Sequence, residues 1–205
     1  MNDKTGYVYS FLKKDILYGV FEDGEHLTEI SLAEKYGVNR VHVKSALEQL
    51  ALEQLVEYRK NRGFYVIGLT DECIKEINAL RKALTKLVCE SIICELTDEQ
   101  LDEMERIVER TYAFYDAGLT DDAIDETERF YRYFQSLSGY KRVVSILDMY
   151  NDYIFAIIKR SVRTNADYEK GTMYLKRFVS SLRTRDMEKV CDVLKDQDDY
   201  KADPL

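Results

Sequence analysis
Proline occurs once in this chain, at Pro204, and glycine only nine times in 205 residues. With so few residues that end a helix, most of the chain has to be helical, joined by short connections. An apolar share of 45% and a charged share of 33% are those of a folded chain with its own core, not of a disordered one. No apolar run reaches the length of a membrane span, and Asp3 and Lys4 interrupt any signal-peptide pattern at the start. No membrane partner and a cytoplasmic location are therefore expected. The two histidines, His26 and His42, both lie early, which rules out a multi-histidine metal site later in the chain. Cys73, Cys89, Cys94 and Cys191 form no CxxC pair and are read as buried free thiols.

Charge divides the chain. Residues 1–70 carry nine Lys/Arg and ten Asp/Glu, so most of the net charge of −8 belongs to the remainder. Within the first part, residues 35–47 hold Lys35, Arg40 and Lys44 and no acid; residues 58–70 hold Arg59, Lys60 and Arg62 and no acid. Two basic patches on a nearly neutral domain fit a polyanion, although a solvated face is the plainer alternative. Periodicity narrows the choice. YVYSFLKKDILY (7–18) is spaced as a helix ending at Gly19. Thr28 is placed to cap the helix TEISLAEKY, with Leu27 and Leu32 as a hydrophobic staple, and Gly37 closes it. Asn39 caps a further helix whose Val43, Ala46, Leu47 and Leu50 share one face, leaving Arg40, Val41, Lys44 and Ser45 outside. LVEYR (55–59), the turn KNRG and FYVI (64–67) then form a hairpin with a basic tip. Helix, helix, tight turn, helix and hairpin is the order of a winged helix-turn-helix, whose last helix enters the major groove.

From Gly19 to Leu50 the pattern G-x-x-x-x-G-x-x-L-x-E-x-x-L-A-E-x-x-G-V-x-R-x-x-V-x-x-A-L-x-x-L is similar to the winged helix-turn-helix of GntR-type transcriptional regulators, and Arg59-Lys60-Asn61-Arg62-Gly63 resembles their wing. The resemblance implies DNA contacts from Asn39, Arg40, Val41 and Lys44 in the helix and from Arg62 and Gly63 in the wing. Lys35, Arg59, Lys60 and Arg62 are expected to meet phosphates, and Arg40 and Lys44 to carry much of the specificity. Departures are local. Asp23 replaces the usual proline, and Val41 offers a thymine-methyl contact in place of a hydrogen bond, so the operator differs from the family norm.

The fold expected is mainly α: a winged helix-turn-helix over residues 1–69, then an all-α bundle over 70–205. Thr70 can cap the bundle's first helix. Six helical stretches follow, near 71–94, 98–116, 120–138, 141–163, 168–184 and 186–198, with a break at Asn165-Ala166. Fragments such as Glu76-Ile77-Asn78-Ala79-Leu80-Arg81, Arg129-Phe130-Tyr131 and Ser138-Gly139-Tyr140 resemble the FCD effector-binding domain of the FadR branch, in its six-helix VanR-like form. Many members of that branch hold a divalent metal through one aspartate and three histidines. Those positions become Thr127, Tyr131, Leu175 and Gln197, no set for a transition metal, so no family-type metal and no other cofactor is expected. On the first bundle helix Ile74, Ile77, Leu84, Leu87 and Val88 form the apolar stripe, and Arg81 lies inside it. On the third, Ala123, Thr127, Phe130, Tyr131 and Phe134 share a face. A pocket of Arg81, Thr127, Tyr131, Tyr150 and Gln197 would suit a small carboxylate. The plainer alternative is that Arg81 pairs with an internal acid and the tyrosines are core.

No nucleophile motif, P-loop or GxGxxG accompanies the carboxylates Asp121, Asp122, Asp125, Glu126 and Glu128, so an enzyme is not expected. The function expected is a ligand-responsive DNA-binding transcriptional regulator, a homodimer on a palindromic double-stranded operator. The other reading kept open is an effector-independent DNA-binding or interaction protein whose bundle serves only dimerisation.

Overall fold
The computed structural model describes residues 4–161 and 165–195. The chain divides after Cys73 into two compact units. The first contains α1 (Lys4–Leu17), β1 (His26–Leu27), α2 (Glu29–Tyr36), α3 (Arg40–Leu52), β2 (Val56–Arg59) and β3 (Gly63–Val66). Each boundary has a local cause. The Thr28 hydroxyl accepts from Ser31 N–H and starts α2; Gly37, at φ +64, ends it in the left-handed conformation that glycine adopts without strain. The Asn39 side chain accepts from Val41 N–H and starts α3. Val43, Ala46, Leu47 and Leu50 are fully buried against Val8, Leu12 and Ile16 of the same unit's core. Leu27 and Leu32, the staple pair, are buried as well.

Two boundaries differ from the sequence reading. The first helix begins at Lys4, a turn earlier than the apolar spacing starts. The hairpin is also not alone: β1 adds a third antiparallel strand in the order β1-β3-β2, pairing His26 with Tyr65 and Leu27 with Phe64. Two residues are too short a run to show an alternation in sequence.

Helix α4 (Asp71–Ile92) starts three residues before the division after Cys73, and the second unit carries the rest of it with α5 (Asp98–Asp116), α6 (Thr120–Ser136), α7 (Lys141–Ser161), α8 (Asn165–Arg183) and α9 (Met187–Lys195). Thr70 caps α4 by accepting from Cys73 N–H at 3.2 Å. Thr97 and Gln100 form a reciprocal capping box at the start of α5. Phe130, Phe134, Phe155 and Phe178 are among the largest fully buried side chains; Phe178 meets Phe130 and Phe134 edge-on at 6.3 and 5.2 Å. Three expectations are corrected. Asn165-Ala166 opens α8 and is not a break. Leu87 faces out at 38% exposure, and Asn78 takes its place on the inward stripe of α4. Of the four free thiols only Cys89 is buried, and Cys94 is exposed. No described helix is long and apolar enough to cross a membrane.

Candidate nucleic-acid interface and bundle interior
The outward face of α3 is built by elimination. The helix commits Val43, Ala46, Leu47 and Leu50 to the core and His42 to α1, where the ring Nδ1 lies 2.8 Å from the Thr5 hydroxyl. Arg40, Val41 and Lys44 remain exposed, Val41 at 68%. Arg40 makes no hydrogen bond or ion pair with any described residue. Lys44 has only a loose contact with Glu48, 3.9 Å along its own helix. Asn39 spends its carbonyl oxygen on the cap, 3.1 Å from Val41 N–H.

The wing tip is a tight turn closed by Arg62 N–H donating to Arg59 C=O at 2.9 Å. Asn61 sits at φ +62, as position i+2 of a type II turn requires, and Gly63 at φ +90. This leaves Lys60 and Arg62 exposed at the tip. Gly63 has a second reason to be glycine: a Cβ there would lie 2.9 Å from His26 Nε2. On the same face Tyr65 lies between the His26 ring, stacked at 4.8 Å, and the Arg59 guanidinium at 4.1 Å.

The expected phosphate contacts therefore differ in kind. Lys60 and Arg62 are uncommitted cations. Arg59 is held by Glu57, its Nε 2.6 Å from the carboxylate, and by Tyr65. Lys35 pairs with Asp15 at 2.7 Å and lies over the Phe21 ring at 4.4 Å. Asp15 also accepts from Tyr36 Oη at 2.8 Å, and burial together with that bond pushes the Tyr36 phenol far above its ordinary range.

Inside the bundle, Arg81 is 3% exposed, within the stripe where its spacing put it. Asn78 and Thr85 flank it on the same face of α4, both buried. Tyr131 is buried, next to Phe130 and Phe155. Thr127 is half-buried and its hydroxyl donates to Ala123 C=O at 2.9 Å, a bond within its own helix. Tyr150 is half-buried beside Tyr153. Gln197 lies outside the described residues. A pair that sequence reasoning missed joins α6 to α7: Asn151 Nδ2 donates to Gln135 Oε1 at 3.2 Å and to Asp148 Oδ1 at 3.1 Å, with both amides buried. A cleft lined by Asp125, Glu128, Arg129, Arg132, Tyr133 and Ser136 runs along the outside of α6 and includes none of the expected effector residues.

The metal positions carried over from the family do not fit a metal. Leu175 is a buried aliphatic, and the Thr127 hydroxyl already serves its own helix. Among the described residues no group of three His, Cys, Asp or Glu could hold an ion. Three of the carboxylates of α6 serve ion pairs: Asp121 with Lys159 at 2.7 Å, Glu126 with Arg110 at 3.3 Å, and Glu128 with Arg132 at 2.6 Å.

Comparison with known proteins finds a separate match within each unit. Residues 4–66 match the model of the bacterial regulatory proteins of the gntR family, and residues 76–196 match the FCD domain. The HTH-type transcriptional regulator YdhC of Bacillus subtilis (strain 168) is 30% identical over 147 residues, 71% of this chain and 66% of that one. A gluconate operon transcriptional repressor of Bacillus licheniformis is 33% identical over 98 residues, 48% of this chain. The chain thus spans 66% and 40% of the lengths of these two relatives. The solved structure of E. coli McbR/YncC shares the fold, with a TM-score of 0.72 at 19% identity over 96% of this chain and 93% of that one. With a helix-turn-helix match in one unit and an FCD match over most of the other, this chain belongs to the gntR family of bacterial regulatory proteins.

Proposed function
We propose that this chain is a sequence-specific, ligand-responsive transcriptional regulator, a repressor in the cytoplasm, that binds a palindromic DNA operator as a homodimer. The observation that carries the reading is the exposed edge of the first unit. Arg40 and Val41 stand exposed on the recognition helix, and Lys60 and Arg62 at the tip of the wing, and none of these three cations is ion-paired with a described residue. Asn39, Arg40, Val41 and Lys44 would read base edges, and Arg62 and Gly63 would approach the backbone or the minor groove. One recognition helix offers too little contact for specific affinity, which favours two copies on a two-fold site. The effector would be a small carboxylate held in the bundle by Arg81, with Thr127, Tyr131, Tyr150 and Gln197 around it, and without a metal. A relative named for a gluconate operon makes sugar acids the first compounds to try.

The test is fluorescence anisotropy of the full chain on the DNA upstream of its own gene, with random DNA beside it. Saturable binding that exceeds random DNA and drops about tenfold or more in Arg40→Ala supports the reading, since a good bidentate base contact carries roughly 1–3 kcal/mol of discrimination. Equal binding to both DNAs, unchanged in Arg40→Ala and Lys44→Ala, would leave a helical interaction protein. A carboxylate panel followed by melting temperature then separates ligand response from an effector-independent protein: a rise that Arg81→Ala abolishes supports the pocket.

A further inference from the structure
We propose that the outward face of the first half of α7 is the centre of the contact between two copies of this chain, packed antiparallel about a two-fold axis. The proposal rests on the homodimer reading above and supplies its interface. Arg142, Ser145, Ile146, Met149 and Asp152 recur at helical spacing on one side of α7, and all five are exposed. Two are large apolar side chains, Ile146 at 40% exposure and Met149 at 66%, and Tyr140, 51% exposed, lies just before the helix. The feature is confined to this half: from Tyr153 to Ile158 every residue of α7 is buried.

Charge selects the occupant. Arg142 and Asp152 end the stripe and make no ion pair or hydrogen bond with any described residue. This sets Arg142 apart from Arg106, Arg110, Arg129, Arg132, Arg183 and Arg185, each of which is paired with an acid. Ten residues separate the two ends, about 15 Å along the helix. A second copy laid antiparallel with Ile146 opposite Met149 sets Arg142 of each copy against Asp152 of the other, twice over, as an isologous contact demands. Ser145 at the crossing lets the backbones approach. A parallel arrangement would place Arg142 against Arg142 and is disfavoured. The apolar centre with charges at its rim is the anatomy of a protein–protein contact.

Sedimentation velocity of the full chain tests it, with Arg142→Glu, Asp152→Arg, the double variant R142E/D152R and Met149→Glu, and with circular dichroism melts as the check on folding. Wild type should sediment as a dimer at micromolar concentration. Each single charge reversal breaks two pairs and should weaken the dimer about tenfold or more, with the double variant returning to near wild type. Met149→Glu should be monomeric with an unchanged melt. A dimer indifferent to all four variants overturns this interface while leaving the regulator reading in place. A double variant no tighter than the singles overturns the antiparallel register. A wild-type monomer overturns both the interface and the homodimer, and operator binding by that monomer would show that the DNA reading survives without them.

Discussion
At Glu53 a single carboxylate fastens α1 to the end of α3. It pairs with Lys13 at 2.8 Å and accepts from the Tyr9 hydroxyl, while Lys13 itself is only 7% exposed. An ammonium that deep depends on the charge facing it. Glu53→Ala should cost roughly 2 kcal/mol in urea unfolding, below the fully buried case because Glu53 is part-exposed. The cysteines give a second measurement. Burial, with Cys191 close by, pushes the Cys89 thiol up to about 12 from 9.0. A raised thiol pKa favours the folded state without change below about pH 9, and that contribution fades as pH climbs from there towards 12, because the unfolded chain ionises first. Stability above pH 9 should therefore fall more shallowly in Cys89→Ala than in wild type. Native protein should give up Cys94 to a thiol reagent first, and Cys89 only on unfolding. A Cys89 that labels alongside Cys94 would contradict this burial.

The wing is where a single element can be broken without touching the rest. Gly63→Ala places a Cβ 2.9 Å from His26 Nε2 at a φ of +90 that alanine resists, so the His26 ring must give way and the wing turn is strained. Operator affinity should fall several-fold while the helical content of the bundle is unchanged by circular dichroism. Equal affinity in Gly63→Ala would mean that the wing tip plays no part in binding. The same element shows what the sequence could and could not display. Thr28, Gly37, Asn39 and Thr70 announce helix ends because their chemistry is local: a hydroxyl or amide over a free N–H, or a left-handed turn. The burial of Arg81 was legible because a cation at an apolar spacing points inward whatever it pairs with. The third strand, the His26–Tyr65–Arg59 stack and the Gln135–Asn151 amide pair were not. Each joins residues distant in sequence, and neither spacing nor composition records which partner a polar side chain will meet. Leu87 failed for a related reason: the apolar arc of α4 is wide, and only the packing of neighbouring helices decides which edge of it is covered.

For the whole molecule the distinction between free and committed cations becomes a salt dependence. Six basic side chains at the edge of the first unit were candidates for DNA: Lys35, Arg40, Lys44, Arg59, Lys60 and Arg62. Lys35 and Arg59 already face Asp15 and Glu57. Moving either to a phosphate means giving up an ion pair and a ring contact, so the gain is small. Lys60 and Arg62 give up only water and displace counterions from the DNA. Each phosphate contact contributes about 0.9 to the slope of log affinity against log salt, so losing one contact per subunit of a dimer should lower that slope by roughly 1.8. Lys60→Ala and Arg62→Ala should each approach this value. Lys35→Ala and Arg59→Ala should change the slope by much less, and Glu57→Gln, which releases the Arg59 guanidinium, should steepen it. If Lys35→Ala flattens the slope as much as Arg62→Ala does, the Asp15 pair opens on DNA, and the basic edge extends from the wing across to α2. If no substitution moves it, the wing and α2 make no phosphate contact, and Arg40 and Lys44 of the recognition helix are left to carry the binding.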